Sequence, residues 1–168
     1  MAAVPKIRRA SGPGKDLLGH AKRLALRSET GGRLDRALAL LRQAARNGSG
    51  EADYAIGTWY AFGKGLPRND EKAVRHFKRA ARKKYSPALF NLGVAYETGR
   101  GGVRKDPTHA FKLYVQAARQ GDFEAANSVY RCLYHGIGVA RSKLAAELFA
   151  DLLDGTFARK RKQRHSKL

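Results

Sequence analysis

A chain of 168 residues with 34 Lys and Arg against 14 Asp and Glu carries a formal net charge of +20. It contains no apolar run long enough to cross a bilayer as a helix, and a lone cysteine, Cys132, excludes an internal disulfide framework and suits a reducing, cytoplasmic setting. The length is one domain's worth, sufficient for a continuous core.

Residues 1–15 combine Pro5, Gly12, Pro13 and Gly14 with Lys6, Arg8 and Arg9, and lack the apolar segment of a secretory signal. They are expected to form a disordered basic arm. Leu17, Leu18, Ala21, Leu24 and Ala25 make an amphipathic stripe that predicts a helix over about residues 16–28. A loop at Thr30-Gly31-Gly32 follows, then a helix carrying Ala37, Leu41 and Ala44-Ala45 that stops by Gly48.

From residue 49 onward one pattern recurs. Ala52-Asp53-Tyr54-Ala55-Ile56-Gly57 matches Ala88-Leu89-Phe90-Asn91-Leu92-Gly93, and Tyr60, Gly63 and Gly65 match Tyr96, Gly99 and Gly101. Lys72-Ala73 and Ala80-Ala81 match His109-Ala110 and Ala117-Ala118. Each copy is an apolar-periodic helix, a glycine break and a second helix. Asn69, Asp106 and Ser142 are the expected N-caps of the second helices, because their short polar side chains accept from first-turn N–H groups. A third copy begins at Asp122 and keeps Ala125, Gly136 and Gly138. It departs at Tyr130, which stands where the earlier copies have glycine, and at Leu133, which stands where they have tyrosine. The helix after Ser142 is expected to carry Leu144, Ala145, Leu148, Phe149 and Leu152. A period in the mid-thirties built of two helices is the signature of a stacked repeat. It divides the chain into a degenerate unit at 16–48, units at 49–85, 86–121 and 122–155, and a basic tail at 156–168. The glycines at 57 and 93 and the Ala-Ala pairs are expected where helices cross closely, with Tyr60 and Tyr96 filling the wedge between hairpins.

The pattern A-x-Y/F-x-L-G-x-x-Y-x-x-G-x-G, followed by K-A-x-x-x-Y/F-x-x-A-A, resembles the Sel1-like repeat, a relative of the tetratricopeptide repeat, over roughly residues 33–155. The resemblance implies an all-α fold, a right-handed α-solenoid of about four stacked antiparallel helix pairs. It further implies that first helices line a concave face and second helices a convex one.

No catalytic constellation accompanies the repeats. There is no H-E-x-x-H, P-loop or G-x-S-x-G, and the G-x-G pairs lie between helices rather than between a strand and a helix. Cys132 and His135 sit on adjacent turns, but two ligands without a second pair make a poor zinc site, and a half-buried thiol is the simpler expectation. The chain is therefore expected to be non-enzymatic, with no cofactor or metal. If first helices line the groove, the partner-binding candidates are Thr58, Phe62, Asn91, Glu97, Arg131 and Tyr134, with Ala61, Val94, Thr98, Ser128 and His135 beside them. This mixture of aromatic, amide and charged groups suits a peptide or a partner helix.

A second candidate surface is cationic. Lys72, Arg75, Arg79 and Arg82 form one helical stripe, Lys112 and Arg119 continue it, and Arg159, Lys160, Arg161, Lys162 and Arg164 crowd the tail. Such a ladder suits a polyanion, and nucleic acid bound there would be held with little sequence preference because no aromatic residues are interleaved. The favoured expectation is a non-catalytic adaptor or scaffold that grips another protein in the groove. A nucleic-acid-associated role through the tail and ladder is the alternative.

Overall fold

The computed structural model describes residues 17–21, 23, 31–64 and 66–152. The expected arm at 1–15 and tail at 156–168 lie outside the described residues. Among the described residues every regular element is a helix: α1 (residues 17–21 and 23), α2 (Gly31–Arg46), α3 (Gly50–Phe62), α4 (Asp70–Arg82), α5 (Ser86–Thr98), α6 (Pro107–Arg119), α7 (Phe123–His135) and α8 (residues 143–152). Each helix packs chiefly on its chain neighbours, most extensively within the pairs α3/α4 and α5/α6. The result is an α-solenoid of helix pairs. Its interior runs as a chain of apolar clusters, from Leu18, Leu41 and Ile56, through Leu89, Leu92 and Leu113, to Tyr114, Val129 and Cys132.

The loops explain the glycine pattern. Gly63, Gly99 and Gly136 close the first helices in the left-handed conformation, and their N–H groups donate to Trp59, Ala95 and Cys132 carbonyls. The chain then returns so that the N–H of each following cap donates to a first-helix carbonyl: Asn69 to Tyr60 (2.9 Å), Asp106 to Tyr96 (2.8 Å) and Ser142 to Leu133 (2.8 Å). The cap side chains accept from Lys72, His109 and Ala145 N–H groups at 2.8, 2.9 and 3.1 Å. Removing such a cap typically costs about 1 kcal/mol. Gly101 and Gly138, the second glycines of the two later pairs, have a different task. A Cβ on Gly101 would strike Val74, and one on Gly138 would strike Pro107, so these glycines let each loop lie against the second helix of the hairpin before it.

Three expectations are corrected. The helix α2 starts at Gly31, inside the stretch expected to be loop; the propensity cost of glycine is offset by the packing of the buried Ala37, Leu38 and Leu41 further along the same helix. Cys132 is fully rather than half buried, 1% exposed among the residues that α6 and α7 close around. In α8 the expected stripe does not go inside: Leu144, Leu148 and Leu152 are 67%, 60% and 67% exposed, and Ala146 takes the buried position. The capping register gives the reason. Ala146 lies four residues after its cap, as the buried Ala73 and Ala110 do, whereas Leu144 and Leu148 fall where α4 has the exposed Glu71 and Arg75. In the same register, Glu147 and Asp151 occupy the row that in α4 holds Val74 and Lys78 and in α6 holds Phe111 and Val115, and both acids are exposed.

The hairpin spacing is set at the glycines. A Cβ on Gly57 would lie 2.6 Å from Cε1 of Phe77, and one on Gly93 would lie 2.6 Å from Cε1 of Tyr114. An Ala in mid-helix gains roughly 0.5–1 kcal/mol in propensity over Gly. Crowding a packed site by one methyl costs about 1–3 kcal/mol. Gly93→Ala is therefore expected to be net destabilising, by on the order of 1 kcal/mol or more, in urea denaturation followed by circular dichroism; a stabilised variant would mean that Tyr114 does not set the crossing.

Candidate interaction surface

The candidate groove residues separate into three groups. Phe62, at the last turn of α3, is 82% exposed. With Ala61 it walls a groove of about 250 Å3 whose floor is Ala73, Val74 and Phe77 of α4 and whose far wall is Asn91, Val94 and Thr98 of α5. Five of the residues read from the sequence as groove-facing therefore meet in one depression. The Asn91 amide donates to the Pro87 carbonyl at 2.9 Å and to the Tyr54 hydroxyl at 3.3 Å, so it is held in place. Arg68 and Arg100, from the loops after α3 and α5, close one end around Asp70.

Glu97 and Arg131 form the second group. Arg131 Nη2 lies 2.7 Å from Glu97 Oε2, and the Tyr114 hydroxyl donates to the same oxygen at 2.8 Å. One carboxylate thus ties α5, α6 and α7 together. The Arg131 hydrogen bond holds the Glu97 carboxyl below its usual range, and burial together with that carboxylate drives the Tyr114 hydroxyl well above the usual phenol value. The third group does not join the groove. Thr58 bonds the Ala55 carbonyl of its own helix at 2.8 Å, and Tyr134 stacks on Tyr130 with Lys143 over its ring.

On the second helices Lys72, Arg75, Arg82, Lys112 and Arg119 are exposed, while residues 159–164 lie outside the described residues. Arg79 breaks the row. It turns to Asp53, a carboxylate with no exposed surface, whose Oδ1 is 3.2 Å from both Arg79 Nε and His76 Nδ1 and whose Oδ2 is 2.6 Å from Lys83 Nζ. Lys83 also donates to the Ala45 carbonyl at 2.9 Å, so the cluster joins α2, α3 and α4. Sequence reasoning missed it. The available signal was that Asp53 stands where the next copies have the buried Leu89 and Ala126.

Among the described residues no three of His, Cys, Asp and Glu converge as metal ligands. Burial pushes the Cys132 thiol up to about 11, away from nucleophilic reactivity, and His135 is exposed at the helix end. No helix among the described residues is long and apolar enough to cross a membrane.

A solenoid of helix pairs with an apolar groove between α3, α4 and α5 is a helical-repeat architecture. The family model of the Sel1 repeat matches residues 23–49, 50–85 and 86–122, and the chain belongs to the Sel1 repeat family. It is 36% identical over 113 residues to the DAP3-binding cell death enhancer 1 of Rattus norvegicus, covering 67% of this chain and 21% of that protein. To the exopolysaccharide production negative regulator of Rhizobium meliloti it is 32% identical over 120 residues, 64% of this chain and 45% of the regulator. Among solved structures, a protective antigen of uropathogenic Escherichia coli with an SLR fold superposes with a TM-score of 0.78 at 32% identity, covering 86% of this chain and 31% of the antigen. The chain thus spans about a fifth of the length of the cell death enhancer it matches.

Two tests follow from the carboxylate clusters. Removing one side of a buried ion pair costs about 3–5 kcal/mol, but Arg79 and Lys83 are 46% and 28% exposed and can turn to water, so Asp53→Asn is expected to cost less, about 2–3 kcal/mol by chemical denaturation. The second test is of pH. Burial depresses the His76 pKa below its ordinary 6.5, more than the Asp53 carboxylate raises it. The folded chain then binds fewer protons than the unfolded one, so this stabilisation is complete above pH 6.5 and is lost as the pH falls below it. The depressed Glu97 acts in the same direction in a lower window, beginning near its ordinary 4.5. The thermal midpoint should decline from pH 7 to pH 5.5, His76→Gln should flatten that decline, and Glu97→Gln should flatten the loss below pH 4.5.

Proposed function

We propose that this protein is a non-catalytic adaptor that holds a segment of another protein in the groove between α3, α4 and α5. The observation that carries the proposal is the exposed Phe62 beside a concave apolar surface: an exposed ring, an apolar floor and a partly exposed Val94 form the kind of pocket that takes one anchoring side chain. The groove walls stand on helices tied down by caps and stacking, so little ordering would be lost on binding. The relatives support the same reading, since one is named for binding DAP3 and another, from Arabidopsis thaliana, as a component of an ERAD-associated E3 ubiquitin-protein ligase. The net charge of +20 would speed encounter with an acidic partner and make the rate fall with salt.

Site-specific photo-crosslinking separates the two faces. A benzophenone at position 62 or 94 should trap protein adducts in nuclease-treated extract, and one at position 75 or 112, on the outer face, should not. Adducts only from the outer positions would remove the groove as the binding site.

A further inference from the structure

The end of the groove is electrostatically unbalanced. Arg68 reaches Asp70 with Nε at 3.2 Å and Nη2 at 3.4 Å, and Arg100 places Nη2 3.0 Å from the same carboxylate. Two guanidiniums therefore share one negative charge, and both remain open to solvent, at 61% and 59% exposure. Arg68 follows α3 and Arg100 follows α5, so the pair exists only because two hairpins stack. Each guanidinium carries five donors in a fixed fork, more than Asp70 can absorb. The surplus donors lie at the edge of an apolar space bounded by Phe62, Val74, Phe77 and Val94.

We propose that the groove selects a partner segment in which a large apolar side chain is followed within one or two residues by Asp or Glu. This rests on the groove being the binding site, as argued above. The apolar side chain fills the space between Phe62 and Val94, and the carboxylate takes the surplus N–H groups of Arg68 and Arg100 by charge-assisted hydrogen bonds. Asp70 is then a competitor as well as a brace: it holds the two arginines at the groove end and occupies part of what the ligand needs. A basic segment is disfavoured there, which excludes the Arg159–Lys162 run of this chain as the occupant.

The test uses the full chain and three fluorescein-labelled decapeptides with blocked termini. They have a Gly-Ser background and a centre of Leu-Phe-Glu-Glu, Leu-Phe-Gln-Gln or Ser-Ser-Glu-Glu, and are titrated by anisotropy at 150 mM NaCl. The first should bind about tenfold or more tightly than either of the others. The double variant Arg68→Ala, Arg100→Ala should erase the preference for the acidic over the amide peptide, and Phe62→Ser should weaken both apolar peptides. Asp70→Asn, which frees the guanidiniums, should tighten the Leu-Phe-Glu-Glu peptide several-fold; a purely structural brace would leave that affinity unchanged or lower it. Circular dichroism confirms that each variant is folded. Equal affinity for the acidic and amide peptides, with loss in Phe62→Ser, would overturn the acidic requirement and leave the groove standing. Equal affinity for Leu-Phe-Glu-Glu and Ser-Ser-Glu-Glu, unaffected by Phe62→Ser, would overturn both. A concentration-dependent dimer abolished by Phe62→Ser would make a second copy the occupant and also overturn the proposal.

Discussion

The contact of Gly57 with the Phe77 ring, repeated by Gly93 with Tyr114, sets how closely the two helices of a hairpin can lie. Where a backbone without a side chain meets an aromatic ring, the ring fills the gap between axes and is itself buried; Tyr114 is 1% exposed. Other features depend on that separation. Carbonyls of the first helices accept from the caps of the second, Gly101 and Gly138 reach the hairpin before them, and the hairpins stack in one register. In the last hairpin the sizes are reversed. Tyr130 takes the glycine position, and Ala150 stands in the register of Phe77 and Tyr114, which keeps the summed volume close to that of the earlier pairs.

Stacking also creates sites that no single hairpin has. The Arg131 to Glu97 pair joins residues 34 apart in the chain, and the Arg100 to Asp70 pair joins residues 30 apart. In a repeat array each hairpin contacts only its neighbours, so such bridges are the main means by which polar residues of one unit fix the next. Their energies are modest at the exposed end and larger where Tyr114 and Arg131 share one half-buried carboxylate.

The fold was legible because its determinants are local. Glycine breaks, Asn69, Asp106 and Ser142 as caps, and alanines at helical spacing all act within a few residues of themselves, and each sits where the pattern puts it. The surface was less legible because its determinants are not local. Phe62, Asn91, Val94 and Thr98 could be assigned to one side from helical phase, and they line one depression. That Glu97 and Arg131 bind each other, or that Arg79 turns inward to Asp53, depends on distances across hairpins that phase does not contain. Leu144 and Leu148 misled for the same reason: an apolar stripe shows which residues share a face, and only the capping register shows which way that face looks.

An open stack of hairpins has two dissimilar ends, and dissimilar faces that fit one another propagate into fibres instead of closing into rings. The exposed Glu147 and Asp151 occupy the very row on which another hairpin of this kind would sit. Covering them would strip water from two carboxylates, a cost that only a face carrying cationic partners would offset.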